Sequence, residues 1–315
     1  MTTVGSALAH PARRPLRGQG GHPISNAGRG AGQEETPRVT QGLPQVVFRA
    51  MSEADHAALQ SAVDILERTS FVERLAAATG RRIGFAGRML PPDAQAFAAA
   101  AARRSLETAL HVAVSSLAVT PRRDGGRLHQ RLAAVSGAVG GAIGLASLPV
   151  ELPVSTTIML RSIADIARRE GENLADPEAL IACLQVFALG GHAEEGNLLE
   201  GGYLALRGLL AKSVTDAARF MGGRAAADAT APALARFLAL VSTRFGVVVS
   251  QKAAAQAVPL IGALSGAAIN LAFIRHFQRL AQGHFTVRRL ERVYGREIVY
   301  GEYARMAGRT TAAEG

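Results

Sequence analysis

Apolar residues recur along most of this chain at intervals of three and four, the spacing that places side chains on one face of an α-helix. The stretch EADHAALQSAVDILERT, for example, brings Leu59, Val63, Ile65 and Leu66 close to one stripe. No segment shows a sustained alternation of apolar and polar residues, so strands are expected to be absent or trivial. The pattern predicts an all-α protein, a multi-helix bundle.

Prolines and glycines divide this helical pattern into segments. A long helix of about 27 residues is expected after Pro91-Pro92. Asp176 is expected to cap a helix that has Pro177 at its first position. The remaining boundaries predict helices from about Val154 to Arg169 with closure at Gly171, from Pro177 to Gly190, between Gly202 and Gly222, from Pro232 to about Gln282 with a break at Pro259, and over a last stretch that ends at Gly295.

Two long apolar runs interrupt the amphipathic pattern. From Ala133 to Leu160 the one charged residue is Glu151, and from Ala253 to Ile274 there is none. Prolines cut both runs into pieces shorter than the roughly 20 apolar residues that cross a bilayer. Basic residues flank both ends of each run, which favours keeping both ends on the cytoplasmic side. We expect two Gly/Ala-rich, Pro-broken helical hairpins that dip into one leaflet; a soluble bundle and true spanning helices are the alternatives.

Glycines within these runs are spaced for close helix packing. Three pairs stand four residues apart, so that each pair shares one helix face and lets a neighbouring backbone approach. The same spacing is also common in soluble bundles. The predicted packing glycines are Gly137, Gly140, Gly141, Gly144, Gly262 and Gly266.

Charged residues inside or beside the apolar runs are the strongest candidates for a site. Glu151 lies between Pro149 and Pro153, and Lys252 opens the second run. A buried charge without a partner costs several kcal/mol, so each requires one. Glu151 and Lys252 could satisfy each other, or Glu151 could pair with Arg161; Asp165 belongs to the same candidate set. An ion pair that sets helix register and a ligand- or proton-handling role both remain open.

The composition indicates a basic protein and favours a reducing compartment. The chain of 315 residues has a formal net charge of +10, and Lys212 and Lys252 are its two lysines. An anionic membrane surface or a membrane protein complex is therefore a reasonable partner, whereas few aromatic residues accompany the arginines, which argues against sequence-specific nucleic-acid binding. A single cysteine, Cys183, excludes an internal disulfide. Residues 1–50 are expected to form a disordered basic tail without a signal peptide, and Met51 could be the true start.

Enzymatic motifs find little support. His192 is followed by Glu194, Glu195 and Glu200, but the spacing differs from HExxH, and no metal site or cofactor is expected. His276 and His284 are expected to be solvated or to cap a helix end. The GxSxG, Walker A and GxGxxG patterns are absent from the sequence. Cys183 is predicted to be an inert core thiol. No catalytic residue is identified.

Several phrases resemble the EcsC family, bacterial proteins named after a gene beside an ABC transporter operon. The phrases are LPVELPVSTTIMLRSIADIARREG at 148–171, CLQVFALGG at 183–191, EGGYLALRGLLAK at 200–212, and the long block RFGVVVSQ…RVYG at 244–295. The resemblance covers roughly residues 70–297 and leaves 1–50 outside. It indicates a helical domain over 51–297 followed by a C-terminal tail, 298–315.

The resemblance implies a helical, hydrophobic protein with no established chemistry. Together with the apolar runs it leads to the expectation of a non-enzymatic, membrane-associated protein on the cytoplasmic face, accessory to a membrane transport complex. The alternative is a soluble helical hydrolase, peptidase-like, with an unrecognised active site. The oligomeric state does not follow from the sequence.

Overall fold

Eight α-helices account for nearly all of the chain that the structure, a computed structural model, describes: residues 50–68, 71, 74–75, 91–116, 148–190, 202–222, 232–256 and 262–312. Strands are absent from these ranges, which confirms the all-α prediction. The helices are α1 (Glu53–Arg68), α2 (Pro92–Ser116), α3 (Leu148–Arg169), α4 (Pro177–Leu189), α5 (Gly202–Gly222), α6 (Pro232–Gln256), α7 (Gly262–Tyr294) and α8 (Arg296–Ala312).

Helix α4 is the centre of the bundle. Every residue from Ala179 to Leu189 is buried, and the helix packs against α3, α5, α6 and α7. Its start follows the sequence prediction, since the Asp176 carboxylate accepts a hydrogen bond from the backbone N–H of Glu178 at 3.0 Å and Pro177 occupies the first turn. A helix apolar on all sides is stable only when other helices enclose it, and here they do.

The few aromatic residues of the chain concentrate around α4. The ring of Phe187 lies 5.0 Å from that of Phe245 on α6 and 5.2 Å from that of Phe277 on α7. Phe273 extends the cluster along α7, 5.3 Å from Phe277. Edge-to-face and tilted pairs at these distances add to the apolar burial that holds the three helices together.

The junction after α3 is closed by Gly171, as predicted. Gly171 has φ +86°, and its N–H donates to Arg168 O at 3.1 Å while the N–H of Glu172 donates to Ala167 O at 2.9 Å. This pair of bonds is a Schellman motif, which needs a residue in the left-handed conformation. The motif turns Glu172 back toward α7.

Helices α3 and α7 lie side by side and run in the same direction. Ser155 contacts Asn270, Ser162 contacts Gln278, and Glu172 contacts Arg288, so the paired positions advance together along both helices. Helix α7 has 33 residues and is about 50 Å long at 1.5 Å per residue. The apolar N-terminal halves of the two helices are therefore neighbours, and so are their arginine-rich C-terminal halves.

Three boundary predictions were wrong. Helix α3 is continuous from Leu148 and contains Pro153, because one lost hydrogen bond near a helix start is outweighed by the burial of neighbours such as Leu152. Helix α7 passes through Gln282 and Gly283 without a break. Close packing on α1 explains the glycine, since a Cβ there would lie 2.9 Å from Leu66 Cγ.

The segment expected to be a C-terminal tail, 298–315, is the third correction. Residues 296–312 form α8, which packs on α1 and α7. Val299, Tyr303 and Met306 are buried, and their spacing of four and three residues places them on one helix face. That stripe is present in the sequence, but its short length hid it among the polar residues around it. The predicted tail over 1–50 lies, except for residue 50, outside the described residues.

Candidate functional site

A buried polar cluster joins the apolar halves of α3, α6 and α7. The Nζ atom of Lys252 donates to Oε1 of Glu151 at 2.7 Å and to Oδ1 of Asn270 at 2.9 Å. The side chain of Lys252 is 0% exposed and that of Glu151 is 3% exposed. Of the two partners that the sequence left open for Glu151, the structure brings Lys252 to it. We call Glu151, Ser155, Lys252, Gln256 and Asn270 the lysine cluster.

The other members of the lysine cluster add hydrogen bonds to it, although Gln256 Oε1 is buried without a partner among the described residues. Gln256 Nε2 donates to Oε2 of Glu151 at 3.2 Å, and Asn270 Nδ2 donates to Ser155 Oγ at 3.3 Å. Nζ of Lys252 also lies 4.8 Å from the ring centre of Phe273, within cation–π range. Burial lowers the pKa of Lys252, and the Glu151 carboxylate opposes this fall. The cluster is a buried polar clamp between three helices.

Sequence reasoning found the two charges of the clamp but missed its amide and hydroxyl groups. Asn270 and Gln256 are polar residues in an otherwise apolar and uncharged run, and that exception was the available signal. A buried amide in such a run needs partners as surely as a buried charge does.

The remaining predicted charges lie elsewhere. Arg161 is exposed on α3, more than one helical turn beyond Ser155, the last α3 residue of the lysine cluster. Asp165 accepts a hydrogen bond from Arg168 Nη1 at 3.1 Å on the same helix, where both side chains are partly buried. At 1.5 Å per residue, Arg161 and Asp165 lie about 15 and 21 Å beyond Glu151 along α3, so the four predicted charges do not form one site.

The predicted packing glycines are only partly described. Gly262 begins α7, and Gly266 is buried one turn later. Gly137, Gly140, Gly141 and Gly144 lie outside the described residues, as do His192 and the carboxylates that follow it. Packing of the two hairpins through these glycines stays a prediction.

The surface around the lysine cluster is apolar. Val150 is 75% exposed and Val154 is 49% exposed, although Glu151 between them points inward. Val247 on α6 and Phe97 on α2 are also more than two-fifths exposed. Their segments are adjacent, because a Cβ on Gly246 would lie 3.8 Å from Ala99 Cα. We call this part of the molecule, the N-terminal halves of α3 and α7 with the C-terminal half of α6, the apolar end.

A second polar cluster lies between α1, α5, α7 and α8. Arg207 on α5 makes a two-pronged ion pair with Glu291 on α7, at 2.6 and 3.1 Å. The Tyr203 hydroxyl lies 2.9 Å from His284 Nδ1. Tyr303 donates to Glu67 Oε1 at 2.7 Å, and the same carboxylate accepts from the Tyr203 N–H. We call these six residues the tyrosine cluster: Glu67, Tyr203, Arg207, His284, Glu291 and Tyr303.

Burial dominates the electrostatics of the tyrosine cluster. It raises the pKa of Tyr203, and with Glu67 nearby it raises the pKa of Tyr303. Burial, helped by the cations Arg207 and Arg288, holds the pKa of His284 well below its ordinary value. At neutral pH the phenols therefore stay protonated and the imidazole stays neutral. The cluster orders the α5 and α8 contacts rather than activating a nucleophile.

The two histidines predicted to be solvated or capping are both fully buried. His284 belongs to the tyrosine cluster, and the His276 ring lies 5.3 Å from Phe71 and 5.2 Å from Phe277. Both lie on the buried face of α7, together with Phe277 and Phe285. Cys183 is buried, and burial raises its pKa, so it is an unreactive thiol.

Partly exposed arginines cover the opposite end of α3 and α7. Arg288 and Arg292 both bind Glu172, while Arg289 bridges Asp55 at 2.9 Å and Glu170 at 3.0 Å. Hydrogen bonds from Tyr294 and Arg289 lower the pKa of Asp55. We call this part, the C-terminal halves of α3 and α7 with the residues that they bind on α1 and the α3–α4 turn, the charged end.

A comparison with known protein families shows which family the chain belongs to. The model of the EcsC protein family matches residues 33–290, about four-fifths of the chain. The chain belongs to the EcsC family. The match begins at residue 33, so part of the stretch expected to lie outside the family, 33–50, lies within it. Neither a curated protein nor a solved structure matches this EcsC chain significantly.

One helix of this EcsC family member is long and apolar enough to cross a membrane, as judged within the described residues. It is α6, with a mean hydropathy of 1.5 over its best window, half of which is buried. A core helix of a soluble protein passes the same test. In the same ranges, no group of three or more His, Cys, Asp and Glu side chains is placed to hold a metal ion.

Proposed function

We propose that this EcsC family member is a non-enzymatic protein that docks its apolar end into the cytoplasmic leaflet of a membrane. The observation that carries the proposal is the parallel arrangement of α3 and α7, which gathers the described parts of both apolar runs at one end and Arg288, Arg289 and Arg292 at the other. Exposed valines at an end where Glu151 and Lys252 are buried and paired fit a lipid environment better than water.

The dimensions of the apolar end suit one leaflet. Arg161, Arg275 and Arg279 are exposed and lie at nearly one level, since residue 162 is beside 278. From Arg161 to Val150 the helix advances about 16 Å at 1.5 Å per residue. Half of a hydrocarbon core is about 15 Å. The three arginines would then lie at the phosphate groups while the valines enter the acyl chains.

The positive charge of Arg161, Arg275 and Arg279 favours an anionic membrane surface. None of the three arginines forms an ion pair with another residue of the described ranges. Each basic residue near an anionic leaflet contributes about 1 kcal/mol to binding. The cytoplasmic leaflet carries most anionic lipid, so the docked face is expected to be cytoplasmic.

Vesicle flotation of the purified full chain tests docking. Vesicles with anionic phosphatidylglycerol should carry the protein upward, and neutral phosphatidylcholine vesicles should carry less of it. Val150→Asp should abolish flotation at little cost in stability, because the side chain is exposed and an acidic residue suits the first turn of a helix. Val293→Asp is the matched control, an exposed valine on α7 about 40 Å away along the bundle, and should float normally.

Equal flotation of the two variants, or none for the native chain, would overturn docking. Recovery of the protein in the soluble fraction of cells, without carbonate treatment, would favour the soluble alternative. The accessory role beside a transport complex rests on the family resemblance alone. Its test is crosslinking in cells, where Val150→Asp should reduce capture of membrane transporter subunits and Val293→Asp should not.

A further inference from the structure

A surface groove between α5 and α6 has features that neither the lysine cluster nor membrane docking uses. Its cavity volume is about 430 Å³, within the range of small-molecule sites. On α5 the lining residues are spaced by three and four, and so are those on α6, which means that each helix turns one face to the groove. The lining includes Leu209, Lys212, Asp216, Ala233, Arg236 and Leu240.

The walls of the groove are apolar and open to solvent. Leu209 is 59% exposed and Leu240 is 41% exposed, the largest apolar side chains of the lining. Two exposed leucines that line one cavity leave apolar surface in water, which a hydrocarbon chain would cover.

Two cations line the same groove without a direct ion pair to any described residue. Lys212 makes no ion pair or hydrogen bond with the ranges that the structure describes, and the one bond of Arg236 there runs from Nε to Pro232 O of its own helix. Asp216 also lines the groove but forms no ion pair with either cation. The polar part of the groove is thus prepared for an anionic group.

We propose that this groove binds a single-chain amphiphile with an anionic headgroup, its hydrocarbon chain between Leu209 and Leu240 and its head at Lys212 and Arg236. A carboxylate or a phosphate would satisfy the two cations. The groove is separate from the apolar end, since Leu240 lies about 18 Å from Lys252 along α6. The proposal therefore stands whether or not the apolar end enters a membrane.

Quenching of an introduced tryptophan tests the groove directly. The native chain has no Trp, so Leu209→Trp supplies a single reporter in the groove and Val293→Trp supplies one at an exposed site far from it. Dibromostearate, used below its micelle concentration, should quench the groove reporter with saturation and leave the remote reporter unaffected. Dodecyl phosphate should displace dibromostearate from the groove, whereas the neutral detergent dodecyl maltoside should not. Comparing the affinities of the carboxylate and the phosphate amphiphile shows which headgroup the groove binds more tightly.

Charge variants in the reporter chain test the headgroup contacts. Lys212→Gln and Arg236→Gln should each weaken dibromostearate binding about fivefold. Arg219→Gln, an exposed arginine of α5 outside the groove, is the matched control and should leave binding unchanged. Equal quenching of both reporters, displacement by the neutral detergent, or indifference to the two charge changes would each overturn the proposal. Capture of an acidic helical peptide without quenching by dibromostearate would do the same and assign the groove to a protein partner.

Discussion

The apolar end and the charged end are built from the same two parallel helices with opposite arrangements of polarity. At the apolar end the charges of Glu151 and Lys252 are inside and valines are outside. At the charged end Val287 and Leu290 are inside, Arg289 and Arg292 are partly exposed, and Arg288 pairs beneath them with Glu172, whose side chain is 6% exposed. The difference teaches that one end is adapted to water and that the other holds its polar groups together away from its surroundings.

The two ends should also differ in how much stability is lost when one partner of an ion pair is removed. A dry ion pair cannot exchange its partner for water, so removing one member strands the other. At the charged end Arg289 shares two partly exposed carboxylates, and solvent can replace either contact. Four predictions measure this difference, from the largest expected effect to the smallest.

Lys252→Ala should lower the free energy of unfolding by about 3–5 kcal/mol, because Glu151 is left buried without its cation. The double variant Glu151→Ala with Lys252→Ala should lose less than the single one, since the unpaired charge is gone. Urea denaturation followed by circular dichroism gives all values of the double-mutant cycle. Arg161→Ala is the exposed control, with an expected change within about 0.5 kcal/mol. If the losses of the two single variants simply added in the double variant, the pairing of Glu151 with Lys252 would be contradicted.

Acidification should destabilise the protein through His284. Its folded-state pKa lies well below 6.5, so between that value and 6.5 the unfolded chain binds a proton that the folded protein excludes. Stability is therefore fully present above pH 6.5 and falls as the pH drops below it, by at most about 2 kcal/mol between pH 7.5 and 5.

The control for this pH effect is His284→Gln, which can keep a hydrogen bond to Tyr203 but cannot titrate. Its stability should fall less over the same pH range, whatever its absolute value. Parallel stability–pH curves for the two proteins would show that another group controls the acid limb.

Gly283→Ala and Gly301→Ala should change stability in opposite directions. A Cβ at 283 would lie 2.9 Å from Leu66 Cγ, so α1 must shift, at a cost of about 1–2 kcal/mol. A Cβ at 301 on α8 would meet nothing within 4 Å, and alanine should add about 0.5–1 kcal/mol through its helix propensity. Thermal melts of both variants test this prediction. A gain in stability for Gly283→Ala would mean that α1 and α7 are not in close contact at Gly283.

Arg289→Gln should have the smallest effect, below about 1 kcal/mol in low salt and close to zero in 1 M salt. Its partners Asp55 and Glu170 have side chains about one-quarter exposed, so water and ions screen the pairs. Lys252→Ala should keep its full loss in 1 M salt. If both losses vanished with salt, the contrast between the two ends would be lost.

Several features of the fold were predictable because they depend on local sequence. Asp176 with Pro177 starts α4, and Gly171 closes α3, through bonds that span no more than five residues. The need of Glu151 for a partner was also readable, since a carboxylate in an apolar run has few alternatives. Its choice between Lys252 and Arg161 was not, because that depends on which helix α3 packs against.

The sequence alone determined the all-α class, most helix boundaries, the family and the presence of two apolar runs. The tertiary structure decided that Pro153 lies within a helix, that α7 is unbroken, that residues 296–312 pack as α8, and that His276 and His284 are buried. It also decided that α3 and α7 run in parallel, which collects the apolar halves at one end. The physical reason is range: periodicity, caps and turns act over a few residues, whereas the burial that outweighs a proline or dehydrates a histidine comes from helices about eighty or more residues away in the chain.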